Sequence, residues 1–579
     1  MTEHRPWFAS YPDDVPKTLE PYPEKSLFSI LEESASRFPD RPALAWFGRH
    51  VSYRELLQET ERFSGVLASL GVHKGDRVGL ILPNCPQYVI AYYATVRLGA
   101  IIVGNNPLYS ERELTHQLND AGIDVVVVLD QLYPNLKSIE DEYRPREAIV
   151  TGLEDYMPFP KNLLAPFVVF RRQAKKEGRP WPAVPKGAGV KRWKALMDSI
   201  RDVPPVASVD AKQDPAGFIY TGGTTGLSKG AMLSHFNIVS NCIQGASWFP
   251  DLVDGEEGVM CVLPFFHSYG MTVCMNIGLY KAAKLVLLPR FELELTLKEI
   301  QKERPTLFPG VPRLYIAINE STEAQGYDLS SIRACLSGAA PLPMAVAERF
   351  ESITGSQVAE GYGLTETSPI THANPIFGKR KAGTIGLPIP DTDCKLVDID
   401  DPSKEVGPRE SGELAIAGPQ VMLGYWNKKE ETEEMIREDE NGIRWLYSGD
   451  IATMDDVGYF SIVDRKKDMI IVSGFNVYPT DIEQVLYRHK KIEKVAVVGV
   501  PDEKTGEAVK AFIVLRQGEQ ATAEEIVAWC RDPKTGLTGY RVPKKIEFRD
   551  ALPETMVGKV LRRKLLDEEK EKAAKSGSS

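Results

Sequence analysis

The segment Tyr220–Gly230 reads YTGGTTGLSKG. It follows an apolar run, Ala216–Tyr220, with the character of a buried strand. The ten residues from Thr221 hold four glycines, three threonines, one serine and one lysine, a composition that suits a loop wrapped around an anion. Gly222, Gly223 and Gly226 let backbone N–H groups turn toward a phosphate with no Cβ in the way. Thr221, Thr224 and Thr225 carry hydroxyls that donate to phosphate oxygens, and Lys229 adds a mobile positive charge. The loop is not a Walker A motif, because Leu227 follows Gly226 where that motif needs lysine. It is not the GxGxxG dinucleotide pattern either.

Working outward, short apolar runs alternate with longer amphipathic ones. Arg77–Leu82 and Asp124–Leu129 read as buried strands. Gln87–Leu98 and Glu111–Ala121 have helical spacing. This alternation predicts an α/β large N-terminal domain of parallel-rich sheets covered by helices. After about residue 464 the charge density rises and the strands shorten: Val495–Val500, Ala511–Leu515 and Lys545–Phe548, with a helix at Ala523–Trp529. We expect a large domain over 1–464 and a small, mobile α+β C-terminal domain over 465–579. Within these, 156–190 is a surface insertion and the tail 567–579 is disordered. A chain of 579 residues is too long for one core, which agrees with two domains.

Composition removes several classes. A formal net charge of -10 is the opposite of a nucleic-acid binder's footprint. The seven cysteines form no CxxC pair, so buried free thiols of a reducing compartment are expected. No apolar signal segment opens the chain. The longest apolar stretch, Tyr88–Gly104, is broken by Arg97 and too short to span a bilayer. A cytoplasmic location follows, with peripheral contact at the inner membrane face as an option. That option rests on 156–190, where Phe159, Phe167 and Phe170 stand beside Arg171, Arg172, Lys175, Lys176 and Arg179; a solvated insertion fits the same residues.

Further motifs follow in order: LPFFHSYG around His267, LSGAAP at Leu336–Pro341, EGYGLTET at Glu360–Thr367, YSGD at Tyr447–Asp450, DRKKDMIIVSGFNVYPTDIE at Asp464–Glu483 and PETMVGKVLRR at Pro553–Arg563. Taken singly each has a bland reading: a satisfied core histidine, a Gly-rich turn, a surface charge run, a surface lysine. At His267 the GxSxG elbow of hydrolases is not met, since HSYG lacks the preceding glycine. No metal-spaced Cys/His cluster occurs.

Together with the phosphate loop, this series resembles the acyl-adenylate-forming superfamily of acyl-CoA synthetases, luciferases and adenylation domains. It is most similar to bacterial long-chain fatty-acid–CoA ligases, from about Ser26 to Leu566. The departures are small: Gly223 replaces the usual serine, Ser228 the usual proline, and Ser448 the usual threonine. The resemblance implies ATP, Mg²⁺ and coenzyme A as cofactors or co-substrates and a fatty acid as substrate. It assigns Thr221–Gly226 and Lys229 to phosphate, and Gly338, Ala339, Ala340, Glu360, Gly361, Tyr362 and Gly363 to the adenine pocket. Thr365 goes to phosphate, Glu366 to Mg²⁺, and Asp450 and Arg465 to the nucleotide. Lys467 is the hinge, Gly474 lines the pantetheine tunnel, His267 lies near the acyl carboxylate and Lys559 is catalytic. The acid's chain length stays open, as does a carrier protein in place of coenzyme A. Medium-chain or aryl acids share the motifs, and a homodimer is one option for the oligomeric state.

Overall fold

Runs such as Val125–Leu129 (VVVVL) are too short for a helix and too uniformly apolar for a one-sided strand, so they are buried on both faces of a parallel sheet. The computed structural model describes residues 5–165, 184, 189–221, 228–473, 475–502, 504–532, 537, 539–554 and 560–576. The chain divides into two compact units. One comprises Phe8–Asp393 and Ala417–Leu446; the other comprises Met1–Trp7, Cys394–Ile416 and Tyr447–Ser579.

The larger unit is built on β1 (Arg77–Ile81), α1 (Pro86–Arg97), β2 (Ile101–Gly104), α2 (Glu111–Ala121), β3 (Val125–Leu129), β4 (Glu147–Thr151), β5 (Val190–Arg192), β6 (Pro215–Thr221), β7 (Lys229–Ser234), α3 (His235–Ser247) and β11 (Gly424–Tyr425). Its sheet has the order β11-β7-β6-β2-β1-β3-β4-β5. From β6 through β5 the pairs are parallel; β7 and β11 join antiparallel. All five residues of β3 and all twelve of α1 are buried. Helix α2 carries its own punctuation. Ser110 and Glu113 form a capping box, and Gly122 closes the helix at φ 62°, a conformation glycine adopts without a Cβ penalty. A second sheet in this unit pairs β8 (Ala334–Ser337) parallel with β9 (Gln357–Gly363), and β9 antiparallel with β10 (Ile370–Ala373).

The smaller unit contains β12 (Arg444–Met454, from Tyr447 on), β13 (Phe460–Arg465), β14 (Ile470–Val472), β15 (Phe475–Val477), α4 (Pro479–Tyr487), β16 (Ile492–Asp502), β17 (Gly506–Leu515), α5 (Ala523–Arg531), β18 (Lys545–Phe548) and α6 (Arg562–Ser576). Strands β15-β14-β17-β16 form a sheet, with β18 on β17. One side packs Ile482, Leu486, Val497, Ile513 and Ile526; the other packs Val498, Phe512 and Leu565. The α/β plus α+β class expected from the sequence is therefore observed.

Three details differ from expectation. Strands β16 and β17 run past the predicted Val495–Val500 and Ala511–Leu515, because the hairpin between them is paired from Ile492↔Leu515 to Asp502↔Gly506. The tail is not disordered where it is described: α6 continues to Ser576. Its charges are paired, Glu569 with Lys510 at 2.7 Å, Lys572 with Glu547 at 3.0 Å and Glu568 with Arg549 at 2.6 Å. The compact units divide at Leu446/Tyr447, and Cys394–Ile416 joins the smaller one, whereas the change in texture at residue 464 suggested a later boundary. All seven cysteines are free and buried. Most of the insertion's aromatic and basic cluster (Phe167 to Arg179) lies outside the described residues. Phe159, Leu163 and Leu164 before it are exposed. Among the described residues no helix is long and apolar enough to cross a membrane.

Candidate active site

In the larger unit, Thr221 and Lys229 are direct cross-strand partners, as are Tyr220 and Gly230. Thr221 and Lys229 are thus the last described pair of the β6–β7 hairpin; Gly222, Gly223, Thr224, Thr225 and Gly226 lie outside the described residues. The Lys229 ammonium stands 3.8 Å from Glu431 and 5.3 Å from the centroid of the Tyr425 ring. The Tyr425 hydroxyl donates to Glu366 Oε1 at 2.6 Å. Glu366 is buried, and its backbone carbonyl accepts from Met422 N at 2.8 Å. The expected phosphate lysine and the expected metal carboxylate thus converge on one tyrosine that sequence reasoning missed. Nothing in the GYW context of Tyr425 signals this; the contact exists because β11 pairs with β7.

The next expected segment joins at the same place. Thr365 Oγ1 lies 3.2 Å from Ser268 Oγ, and Ser368 O accepts from Thr272 Oγ1 at 2.6 Å. Ser268 is a second residue that motif reading passed over. It follows His267, whose ring packs on Phe266 at 4.4 Å between centroids. Burial pulls the His267 pKa down to about 4, so the imidazole is neutral at physiological pH and suits a hydrogen-bonding role rather than a charged one. A π-helical turn, Gly270–Asn276, follows. A Cβ at Gly270 would fall 2.2 Å from Pro264 O, so only glycine lets the backbone fold back there.

The two small-residue segments leave neighbouring parallel strands. Ser337, at the end of β8, is registered with Glu360 in β9. Gly338, Ala339 and Ala340 are thereby brought beside Glu360, Gly361, Tyr362 and Gly363. Ala339 takes a positive φ of 68°. A Cβ at Gly363 would stand 1.8 Å from Pro369 O, which excludes any other residue at that turn. Burial pushes the Glu360 carboxyl up to about 7, while the Tyr362 ring meets His372 edge-on at 5.8 Å.

In the smaller unit, Asp450 and Arg465 are cross-strand partners on β12 and β13, joined Nε to Oδ1 at 2.9 Å, with Asp450 buried. Lys467 is exposed in the one-turn helix Lys466–Asp468, next to Lys466, which reaches Glu413 at 2.9 Å. Gly474 and Lys559 lie outside the described residues, but their flanks are fixed. Ser473 has φ 52° where β14 turns into β15. Glu554 and Val560 form an antiparallel bridge on either side of the lysine segment. Just beyond, Arg562 is held by Glu483 at 2.7 Å and Asp468 at 3.1 Å.

Among the described residues no three His, Cys, Asp or Glu side chains gather as a metal cage. The single buried carboxylate of Glu366, with Oε1 already accepting from Tyr425, matches a different arrangement. A hard cation that keeps its waters and nucleotide phosphates as its main ligands needs only one or two protein carboxylates. Mg²⁺ fits this donor set.

Comparison with known proteins places these features in context. Residues 31–426 match the family described as AMP-binding enzyme, and residues 481–559 match the AMP-binding enzyme C-terminal domain. A long-chain-fatty-acid–CoA ligase of Bacillus subtilis (strain 168) is 45% identical over 576 residues, 99% of this chain and 99% of that one. A long-chain-fatty-acid–CoA ligase of Escherichia coli O157:H7 is 41% identical over 568 residues, 97% and 98% of the two chains. The crystal structure of ATP-bound MatB from Rhodopseudomonas palustris is similar with a TM-score of 0.79 at 28% identity, covering 94% of this chain and 98% of that one.

Proposed function

The chain belongs to the AMP-binding enzyme family, and from that premise we propose that it is an ATP-dependent long-chain fatty acid–CoA ligase. A fatty carboxylate oxygen attacks the α-phosphorus of ATP. The bond from that phosphorus to the β-bridging oxygen breaks, and pyrophosphate leaves. The thiolate of coenzyme A then attacks the acyl carbon of the acyl-AMP, AMP leaves with the carboxyl-derived oxygen, and the thiol proton passes to solvent. A carboxylate has no adequate leaving group of its own, so the mixed anhydride supplies one.

The observation that carries this reading is the convergence of the β6–β7 hairpin and Glu366 on Tyr425. The strand ends that flank the glycine-rich segment, a cation and a carboxylate meet there, an arrangement suited to positioning a triphosphate. In this assignment Thr221, the loop residues Gly222, Gly223, Thr224, Thr225 and Gly226, and Lys229 bind the phosphates, and Thr365 assists them. Gly338–Ala340 and Glu360–Gly363 flank adenine. Glu366 holds Mg²⁺, which when bound supplies charge neutralisation on the phosphates. Neutral His267 orients the acyl carboxylate. Asp450 accepts from the ribose hydroxyls, with Arg465 fixing its carboxylate. Lys559 stabilises charge on the reacting oxygens during adenylation. The segment from residue 465 onward turns about Lys467 between the two half-reactions, bringing Gly474 to the pantetheine arm. The relatives' names support the long-chain class. Exposed Phe159, Leu163 and Leu164 suit a peripheral contact with the lipid phase that holds such acids.

The test is an AMP-release assay with purified protein, Mg²⁺, ATP, coenzyme A and acids of graded chain length, run in parallel with a phosphopantetheinylated carrier as acceptor. Turnover greatest with long chains and coenzyme A is expected. Preference for short or aryl acids, or for the carrier, would overturn the substrate or acceptor assignment respectively.

A further inference from the structure

Helix α2 carries none of the motifs discussed above, yet it touches both ends of the phosphate loop. Tyr220, the residue before Thr221, donates its hydroxyl to Asp120 Oδ2 at 2.6 Å. Ser228, on the other side of the loop, accepts at its backbone carbonyl from His116 Nε2 at 2.9 Å. A carbonyl only accepts, so Nε2 bears the proton. His116 and Asp120 are four residues apart on the helix and so lie on one face. A third link closes the frame: Trp426 Nε1 donates to Asp120 O at 3.0 Å, while Trp426 N donates to Gly230 O at 2.8 Å. The Tyr220 ring lies close to Gly230, where an added Cβ would stand 3.1 Å from it.

Asp120 is an odd choice for the helix alone. It sits in the last turn of α2, where the helix dipole disfavours a negative charge. What it gains there is a charge-assisted bond to the strand that feeds the loop. We propose that Asp120 and His116 are positioning residues for nucleotide binding: α2 holds Tyr220 and Ser228, the residues on either side of the glycine-rich segment, in place before the nucleotide arrives. This deepens the ligase reading and rests on it for the identity of the anion.

The experiment uses the full-length protein and varies ATP, fatty acid and coenzyme A in turn for wild type, Tyr220→Phe, Asp120→Asn, Asp120→Ala and His116→Ala, with melting temperatures recorded. Tyr220→Phe and Asp120→Ala are expected to raise KM for ATP about three- to tenfold. KM for the other two substrates should stay within about twofold, and Asp120→Asn, which keeps an acceptor, should recover part of the loss. Combined Tyr220→Phe and Asp120→Ala should be no worse than the poorer single variant. An unchanged KM for ATP, multiplicative effects in the double variant, or equal rises in all three KM values alongside a lowered melting temperature would each overturn the proposal. A direct equilibrium titration with MgATP separates the two readings. Weakened binding in Tyr220→Phe upholds the brace even if the wild type activates no fatty acid. Undiminished binding removes the brace and leaves the ligase assignment standing.

Discussion

At the scale of single residues, the site depends on polar groups that are buried and held. Glu366 is the clearest: a buried carboxylate whose Oε1 takes the Tyr425 hydroxyl. Tyr425→Phe should therefore leave that oxygen short of a donor without changing the ring under Lys229. Hydrogen bonds to charged groups contribute about 1.5–3 kcal/mol, so acid-dependent pyrophosphate formation at subsaturating MgATP should fall by roughly tenfold or more; an unchanged rate would show that Tyr425 does not hold the carboxylate. Glu360 gives a pH signature. Its carboxyl, raised by burial from 4.5 to about 7, keeps in the fold a proton that the unfolded chain releases. Its contribution to stability is complete below the unfolded value and is lost as pH rises through 7. Wild type should lose thermal stability relative to Glu360→Gln between pH 5 and 8, and a difference independent of pH would remove the shifted carboxyl. Thr365, Glu366 and His267 could be proposed from the sequence because each stands inside a motif. Tyr425, Ser268, His116 and Asp120 could not, because each matters through a partner distant in sequence.

At the scale of elements, strands and helices were readable wherever burial is two-sided or periodicity is clean. The β3 run and the buried helix α1 follow directly from their residues. Helix α6 was not readable. Its middle, Asp567–Lys572, is charged at every position, a pattern that suggests a solvated tail, and what orders it is pairing with Lys510, Glu547 and Arg549 on the neighbouring sheet. Lys510 is buried and shares its charge between Glu547 and Glu569. Amide hydrogen exchange at residues 567–572 should accordingly be slow, and Glu569→Ala should speed it several-fold by loosening the helix. Rapid exchange already present in wild type would contradict the docked helix.

At the scale of the whole molecule, the expected site residues fall into two groups. Those that gather around the β6–β7 hairpin belong to one compact unit; Asp450, Arg465, Lys467, Gly474 and Lys559 belong to the other. The class of each unit could be read from the alternation of apolar runs, but the boundary could not. Cys394–Ile416 joins the smaller unit through tertiary contacts, which a change of composition along the chain does not register. A two-step reaction gives this division a consequence. If Lys559 serves adenylation alone, Lys559→Ala should lose acyl-AMP formation by about 10²–10³-fold while converting supplied acyl-AMP to acyl-CoA at a rate close to wild type. Equal loss of both steps would reject that role.

The most direct measurement is the fatty-acid-dependent exchange of labelled pyrophosphate into ATP, with coenzyme A left out. An enzyme that forms a reversible acyl-adenylate must catalyse this exchange as soon as Mg²⁺ and a long-chain acid are added, and must stop when the acid is withheld. Exchange that ignores the acid, or no exchange with any acid tried, would contradict acyl-adenylate formation and every role derived from it.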